Sequence, residues 1–305
     1  MHLGKAALLV LASLGAACAA PRQALDVAAW QAEGRVITSP EEAQLVDARR
    51  SVHWTDGELE LRREEVATLF ARGVRLLTDL EGTAGTRTTF VVDTGSTFTL
   101  LSAAAPLAQD VRLGPQHRYG IANRPGETGY LGYLPEVGLG PLVADHVTVA
   151  LTERSHTTAE PANILGLQHL FHLQLEGDTG RWWLRSGASR RPSLESGWSR
   201  VALVPGTPLL HVRSPEGATV LAMIDTGAWR STVVKGAPEG GYHVLDDRGH
   251  PVLPVAAEST VDWPGMEWRG ERIVLLIGLD VLARRACRLT FDAATWAVGP
   301  PPAPR

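Results

Sequence analysis

Two short runs in this chain carry the residues best suited to acid–base chemistry. Asp93-Thr94-Gly95-Ser96 and Asp225-Thr226-Gly227-Ala228 each put a carboxylate on a tight turn. Each turn follows an apolar run, Phe90-Val91-Val92 and Ala222-Met223-Ile224, whose composition predicts a buried strand. A carboxylate at the end of such a strand is held rigidly over a low-dielectric floor. Two of them brought face to face cannot both ionise comfortably, so they share one proton across an acidic range. One carboxylate then takes a proton from a water while the other donates to a carbonyl oxygen under attack. The product is a neutral tetrahedral diol, formed without metal or covalent intermediate. Gly95 and Gly227 permit the turn geometry, and the hydroxyls of Thr94 and Thr226 can lock the turns to each other. The fourth positions differ. A hydroxyl at Ser96 favours the charged form of Asp93, which the methyl of Ala228 cannot do for Asp225. The expectation is that Asp93 is the more acidic member and Asp225 the usual proton holder.

A third copy, Asp178-Thr179-Gly180, serves as a control. It follows Glu176-Gly177 instead of an apolar run, so it reads as a hairpin turn. Context separates the other two, because the elements around them repeat. Val74 to Leu80, a Gly-containing turn at Glu81 to Gly85, and Thr88 to Leu101 carry the first copy. Pro208 to Ser214, the turn Pro215-Glu216-Gly217, and Ala218 to Val234 carry the second. Downstream, Ile164-Leu165-Gly166-Leu167 is echoed by Leu276-Ile277-Gly278-Leu279. Each echo precedes a strand–turn–strand pattern, Leu173 to Leu184 and Arg288 to Gly299. The first half is longer, its excess falling around residues 112–145, a Gly-rich stretch with Tyr119, Tyr130 and Tyr133. A repeat of about 100 residues predicts two similar β lobes.

The chain therefore divides into residues 1–20, a polar preamble 21–72, a first lobe 73–187, a linker 188–199, a second lobe 200–300 and a tail 301–305. Residues 1–20 run from Lys5 through an apolar stretch to small residues and read as a signal peptide. The small residues before Cys18 resemble a bacterial lipobox, with Gly15 departing from it, and Ala17-Cys18-Ala19 also fits ordinary cleavage. Export follows on either route, to the periplasm, to a membrane-anchored lipoprotein through lipidated Cys18, or to free secretion. The preamble reads as a tether, an edge strand or a pro-segment. Composition excludes other classes. Of 305 residues 44% are hydrophobic and 20% charged, too apolar for a disordered chain. The net charge of −4 offers no footprint for nucleic acid. With 2 Cys, one of them Cys18, no disulfide framework is expected, and Cys287 reads as a buried apolar residue.

Other chemistries fit less well. His169 and His172, with His156 and Glu160 nearby, form no His-Glu-x-x-His pattern, so no metal site is expected. No Gly-x-Ser-x-Gly run supports a serine nucleophile. Trp182 and Trp183 read as core or cleft-wall residues, and Trp229, just past the second turn, as lining the cleft.

On these motifs the chain resembles the aspartic peptidases of the pepsin/retropepsin type, in a bacterial exported form. The resemblance covers about residues 74–300 and is closest in the second lobe, where Asp225-Thr-Gly-Ala228, Ile277-Gly-Leu-Asp-Val-Leu282 and Leu289-Thr-Phe-Asp292 match the retropepsin unit. It implies a mainly all-β, bilobal pepsin-like fold with two pseudo-twofold-related lobes and a central cleft. It implies Asp93 and Asp225 as the catalytic pair, Thr94 and Thr226 as an interlocking grip, and a flap around residues 115–135. Tyr119, Tyr130 and Tyr133 all compete for the place of the flap tyrosine. The implied activity is endopeptidase cleavage of peptides or proteins, with no cofactor. The other reading is a catalytically silent pepsin-fold lipoprotein that binds peptides or a protein partner. Single-lobe retropepsins must dimerise, whereas this chain carries both aspartates, so a monomer is expected.

Overall fold

The computed structural model describes residues 25–44, 46, 51–67, 72–121, 124–152, 163–178, 180–191, 194–257, 259–262 and 266–300. The signal segment, Cys18, His156, Glu160 and the tail 301–305 lie outside these. Among the described residues no helix is long and apolar enough to cross a membrane.

The fold is mainly β. The first lobe is one eight-stranded sheet in the spatial order Arg62–Ala67, Arg72–Gly82, Arg87–Val92, Ile164–Leu165, Leu100–Ser102, Leu142–Thr152, Arg124–Leu139 and Arg112–Ile121. The second lobe repeats its centre. Strand Thr219–Ile224 pairs antiparallel with Leu209–Arg213 and parallel with Glu271–Ile277, which pairs in turn with Thr232–Val234. In the first lobe the matching parallel pair is Arg87–Val92 with Ile164–Leu165, registered Val91 to Ile164 and Val92 to Leu165. The apolar runs before each Asp are thus central strands, buried on both faces.

A third sheet joins the lobes. Its six strands run Gly57–Glu60, Trp182–Ser186, Gln174–Gly177, Cys287–Thr290, Thr295–Val298 and Ser199–Ala202. Gln174–Gly177, late in the first repeat, lies antiparallel beside Cys287–Thr290, late in the second. The Asp178 turn caps this sheet. Asp178 Oδ1 accepts from Gly180 N and Arg181 N, closing the hairpin that the sequence predicts there.

Of the three readings left open for the preamble, its second part takes the edge strand. Residues 57–60 and 62–67 are strands, one at the edge of the joining sheet and the other at the edge of the first-lobe sheet. Their sequences, Gly-Glu-Leu-Glu and Arg-Arg-Glu-Glu-Val-Ala, look like surface chain because edge strands carry charges that discourage further pairing. Upstream, Ile37 N donates to Leu113 O and Leu113 N to Arg35 O, extending the first-lobe sheet beyond its last strand.

Along the central strands of the first lobe, alternate residues part to two sides. Phe90, Val92, Leu101 and Leu165 enter the main core. Leu100 and Ile164 face the other way and pack with Leu131, Tyr133, Ala150 and Val46. Asp93 continues the alternation of Val91, which is registered beside Ile164 on this second face.

Candidate active site

The turns at Asp93 and Asp225 each hang between two strands of their own lobe. Asp93 N donates to Leu165 O at 3.0 Å, and Asp225 N to Ile277 O at 3.0 Å. Leu167 N donates to Ser96 O at 2.7 Å, and Leu279 N to Ala228 O at 2.9 Å. The hydrophobic–hydrophobic–Gly runs therefore brace both ends of each turn from beneath.

The two turns grip each other through their threonines. Thr94 N donates to Thr226 Oγ1 and Thr226 N to Thr94 Oγ1, both at 3.1 Å. Each hydroxyl reaches across to the strand before the opposite Asp: Thr94 Oγ1 donates to Ile224 O at 2.9 Å, and Thr226 Oγ1 to Val92 O at 2.8 Å. Both side chains are buried. Four reciprocal bonds of this kind fix the distance and orientation of the carboxylates without a ligand.

The glycines serve a different purpose from the one read in sequence. Neither Gly95 nor Gly227 has a positive φ. A Cβ on Gly95 would lie 2.7 Å from Asp225 Cγ, and one on Gly227 would lie 2.4 Å from Asp93 Cγ. Each glycine makes room for the carboxyl of the other lobe.

Asp93 and Asp225 are half-buried, and their carboxyls face each other closely enough to interact. Asp93 Oδ1 accepts from Gly95 N at 2.8 Å and Ser96 N at 3.2 Å, while Asp225 Oδ1 accepts from Ala228 N at 3.0 Å. Burial pushes the Asp93 carboxyl well above the usual carboxylate range, and the charge of Asp225 adds to the shift. Burial raises Asp225 as well. The expected asymmetry loses its basis. Ser96 Oγ donates to Phe98 O at 2.8 Å and leaves Asp93 to backbone donors, as Ala228 leaves Asp225. The proton belongs to the pair.

The flap region is a hairpin of Arg112–Ile121 and Arg124–Leu139. Tyr119 lies nearest its turn, registered with Glu127. Tyr130 is half-buried and registered with Gln116 and with Leu151. Tyr133 is buried at the hairpin's base, hydrogen-bonded to and stacked on His146, and so is fixed in the second cluster. Trp229 is corrected: it packs on Gly73 and lines a cavity to which neither aspartate contributes. Trp182 is core, and Trp183 sits near the Arg185 guanidinium.

His169 and His172 have separate hydrogen-bond partners, and His172 stacks on His53. His169 is fully buried and shares a hydrogen bond with Thr99 Oγ1 at 2.6 Å, and His172 meets Ser51 and Asp292. No group of three or more His, Cys, Asp or Glu gathers among the described residues in a way that would hold a metal ion. Cys287 is buried, its thiol pushed up to about 12 chiefly by desolvation. Sequence reading missed Glu176, which is buried against Arg288 and Arg185 where the lobes join. Arg288 lies in a strand paired with that of Glu176 across more than 100 residues, beyond any local pattern.

Residues 81–168 match the family model described as Aspartyl protease. The crystal structure of the aspartic proteinase from Irpex lacteus superposes with a TM-score of 0.50 at 13% identity, covering 81% of this chain and 98% of that one. No curated protein matches the chain in sequence. The protein thus has the bilobal β fold of the aspartic proteinases. Residues 81–168, in its first lobe, carry the sequence pattern of the Aspartyl protease family.

Proposed function

We propose that the protein is an aspartic endopeptidase in which Asp93 and Asp225 activate one water against a peptide carbonyl. The observation that carries this reading is the reciprocal Thr94–Thr226 grip, which holds two half-buried carboxyls face to face. In the reactive state the pair holds one proton. The ionised carboxylate accepts a proton from the water as its oxygen attacks the carbonyl carbon, and the protonated carboxyl donates to the carbonyl oxygen. The tetrahedral diol then collapses: the C–N bond breaks, the amine leaves protonated, and the pair returns to its singly protonated state. No acyl-enzyme forms.

Both aspartates belong to one chain, so a monomer is the active species. Residues 1–20 direct export, with Cys18 as the lipid attachment point, and peptides or proteins are the substrate. The test is cleavage of casein and of a diverse peptide pool between acid and neutral pH, with and without a statine-type transition-state mimic, and with Asp225→Asn as control. Cleavage at internal bonds, blocked by the mimic and lost in Asp225→Asn, is the expected result. Peptide binding without turnover at any pH would overturn it in favour of a silent binding module. Light scattering of the active fraction checks the monomer, and mass spectrometry of the mature N-terminus checks lipidation.

A further inference from the structure

A cavity of about 310 Å³ opens in the seam between the lobes, away from both aspartates. Its walls come from strand Arg62–Ala67, the start of strand Arg72–Gly82, strand Trp182–Ser186, the run 229–231 and the short helix Leu279–Leu282. That volume is at the lower end of the range for small-ligand sites, about 300–1,000 Å³.

One part of the lining is aromatic. Trp182 is buried and Trp229 half-buried, and both contribute. Trp229 reaches its place only because residue 73 is glycine: a Cβ there would lie 2.5 Å from Trp229 Cε3. Arg63, Arg230 and Arg284 line the cavity together with the carboxylate of Asp280, and Arg63 Nη1 donates to Gly180 O at 3.0 Å. Asp280 Oδ1 is committed to Ser231 N at 2.7 Å and Ser231 Oγ at 2.8 Å, so it serves the wall. Arg284 donates through Nε to a backbone carbonyl, Asp280 O, at 3.0 Å. Its Nη groups provide the planar fork that suits a carboxylate.

We propose that this cavity binds a carboxylate bearing an apolar group, the chemistry of a peptide's C-terminal residue. The side chain lies along Trp229, and the carboxylate meets Arg284. Peptide hydrolysis releases such a terminus at every cut, and only this source of the ligand rests on the peptidase reading. The site is coupled to the chemistry by a short route. Asp280 N donates to Trp229 O at 3.2 Å, Leu279 N to Ala228 O, and Ala228 N to Asp225 Oδ1. An occupant pressing on Trp229 therefore bears on the turn that aims Asp225.

Calorimetric titration of the wild-type chain with N-acetyl-phenylalanine tests the proposal, since that compound has no internal peptide bond to cleave between residues. The expected result is saturable one-to-one binding that persists when a statine-type mimic fills the cleft. N-acetyl-phenylalaninamide, which lacks the carboxylate, should bind about tenfold more weakly or worse, and Arg284→Gln should cost a similar factor. Equal binding of the amide, displacement by the mimic, or no saturation at millimolar ligand would overturn the proposal. Tighter binding of octanoate than of the amino-acid derivative would overturn the assignment to a peptide terminus. Because the readout is binding, absence of proteolysis leaves this result standing.

Discussion

At the scale of single residues, the two carboxyls work at a cost to the fold. Burial and mutual repulsion raise the Asp93 carboxyl well above its ordinary range, so the folded chain holds a proton that the unfolded chain gives up near pH 4. Stability from this source is present below the unfolded value and is lost as pH rises through the folded one. Asp225→Asn removes one charge of the pair. It should lower turnover by about a hundredfold or more and raise the thermal midpoint at neutral pH, with little change below pH 4. Peptide cleavage and thermal unfolding across pH measure both. Ser96→Ala should leave the acid limb of the pH–rate profile unmoved, because Ser96 Oγ is bonded to Phe98 O and not to Asp93. A shifted limb would restore the asymmetry that the Ser96–Ala228 difference suggests. The aspartates and threonines were legible because strand, turn and repeat all marked the same positions. The reason for Gly95 and Gly227 was not, since the atom each avoids belongs to the other lobe.

Among the elements, the joining sheet was the hardest to read and carries a distinct energetic feature. Glu176 projects from Gln174–Gly177 and is 9% exposed, with Arg185 Nε at 3.1 Å, Arg288 Nε at 3.3 Å and Arg191 Nη1 at 2.9 Å. Arg288 comes from the second repeat and is registered directly opposite Glu176. Arg185 and Arg288 are also buried, so Glu176→Ala leaves their guanidinium charge inside the sheet with only the more exposed Glu58 and Glu195 to answer it. The expected loss is about 3–5 kcal/mol in urea unfolding, a range set by the breaking of buried pairs. Glu176→Gln keeps the shape and should lose less. A change under 1 kcal/mol for the alanine variant would mean that Glu195, at 2.6 Å from Arg288, suffices alone. The repeated strands inside each lobe could be read from apolar runs and Gly-containing turns. The charged edge strands at 57–67 stayed one of three readings of that stretch, because the same charges that protect a sheet edge also mark a surface loop.

For the whole molecule, acid pulls in two directions. The shared proton of Asp93 and Asp225 favours acid, whereas His169 opposes it. Its ring is fully buried beside Trp54 and Thr99, its Nε2 has no hydrogen-bond partner, and burial lowers its pKa to about 3. An unfolded histidine titrates near 6.5. Between those values the unfolded chain binds a proton that the folded chain refuses, so this contribution is present above about pH 6.5 and is lost as pH falls towards 3. The slope is at most about 1.4 kcal/mol per pH unit, or about 3 kcal/mol between pH 6.5 and 4.5. The site of strain is close to the chemistry. Thr99, the partner of His169, also accepts from Gly166 N, and the helix Leu167–Leu170 carrying His169 begins at the residue that bonds Ser96 O. Acid loosening should therefore begin in the first lobe, beneath Asp93. His169→Asn retains a polar atom for Thr99 and removes the titration. It should be less stable than wild type at pH 7 for want of ring volume, yet lose less stability between pH 6.5 and 4.5. Urea midpoints at several pH values distinguish the slopes, and parallel curves for the two proteins would show that the acid limit of the fold is set elsewhere.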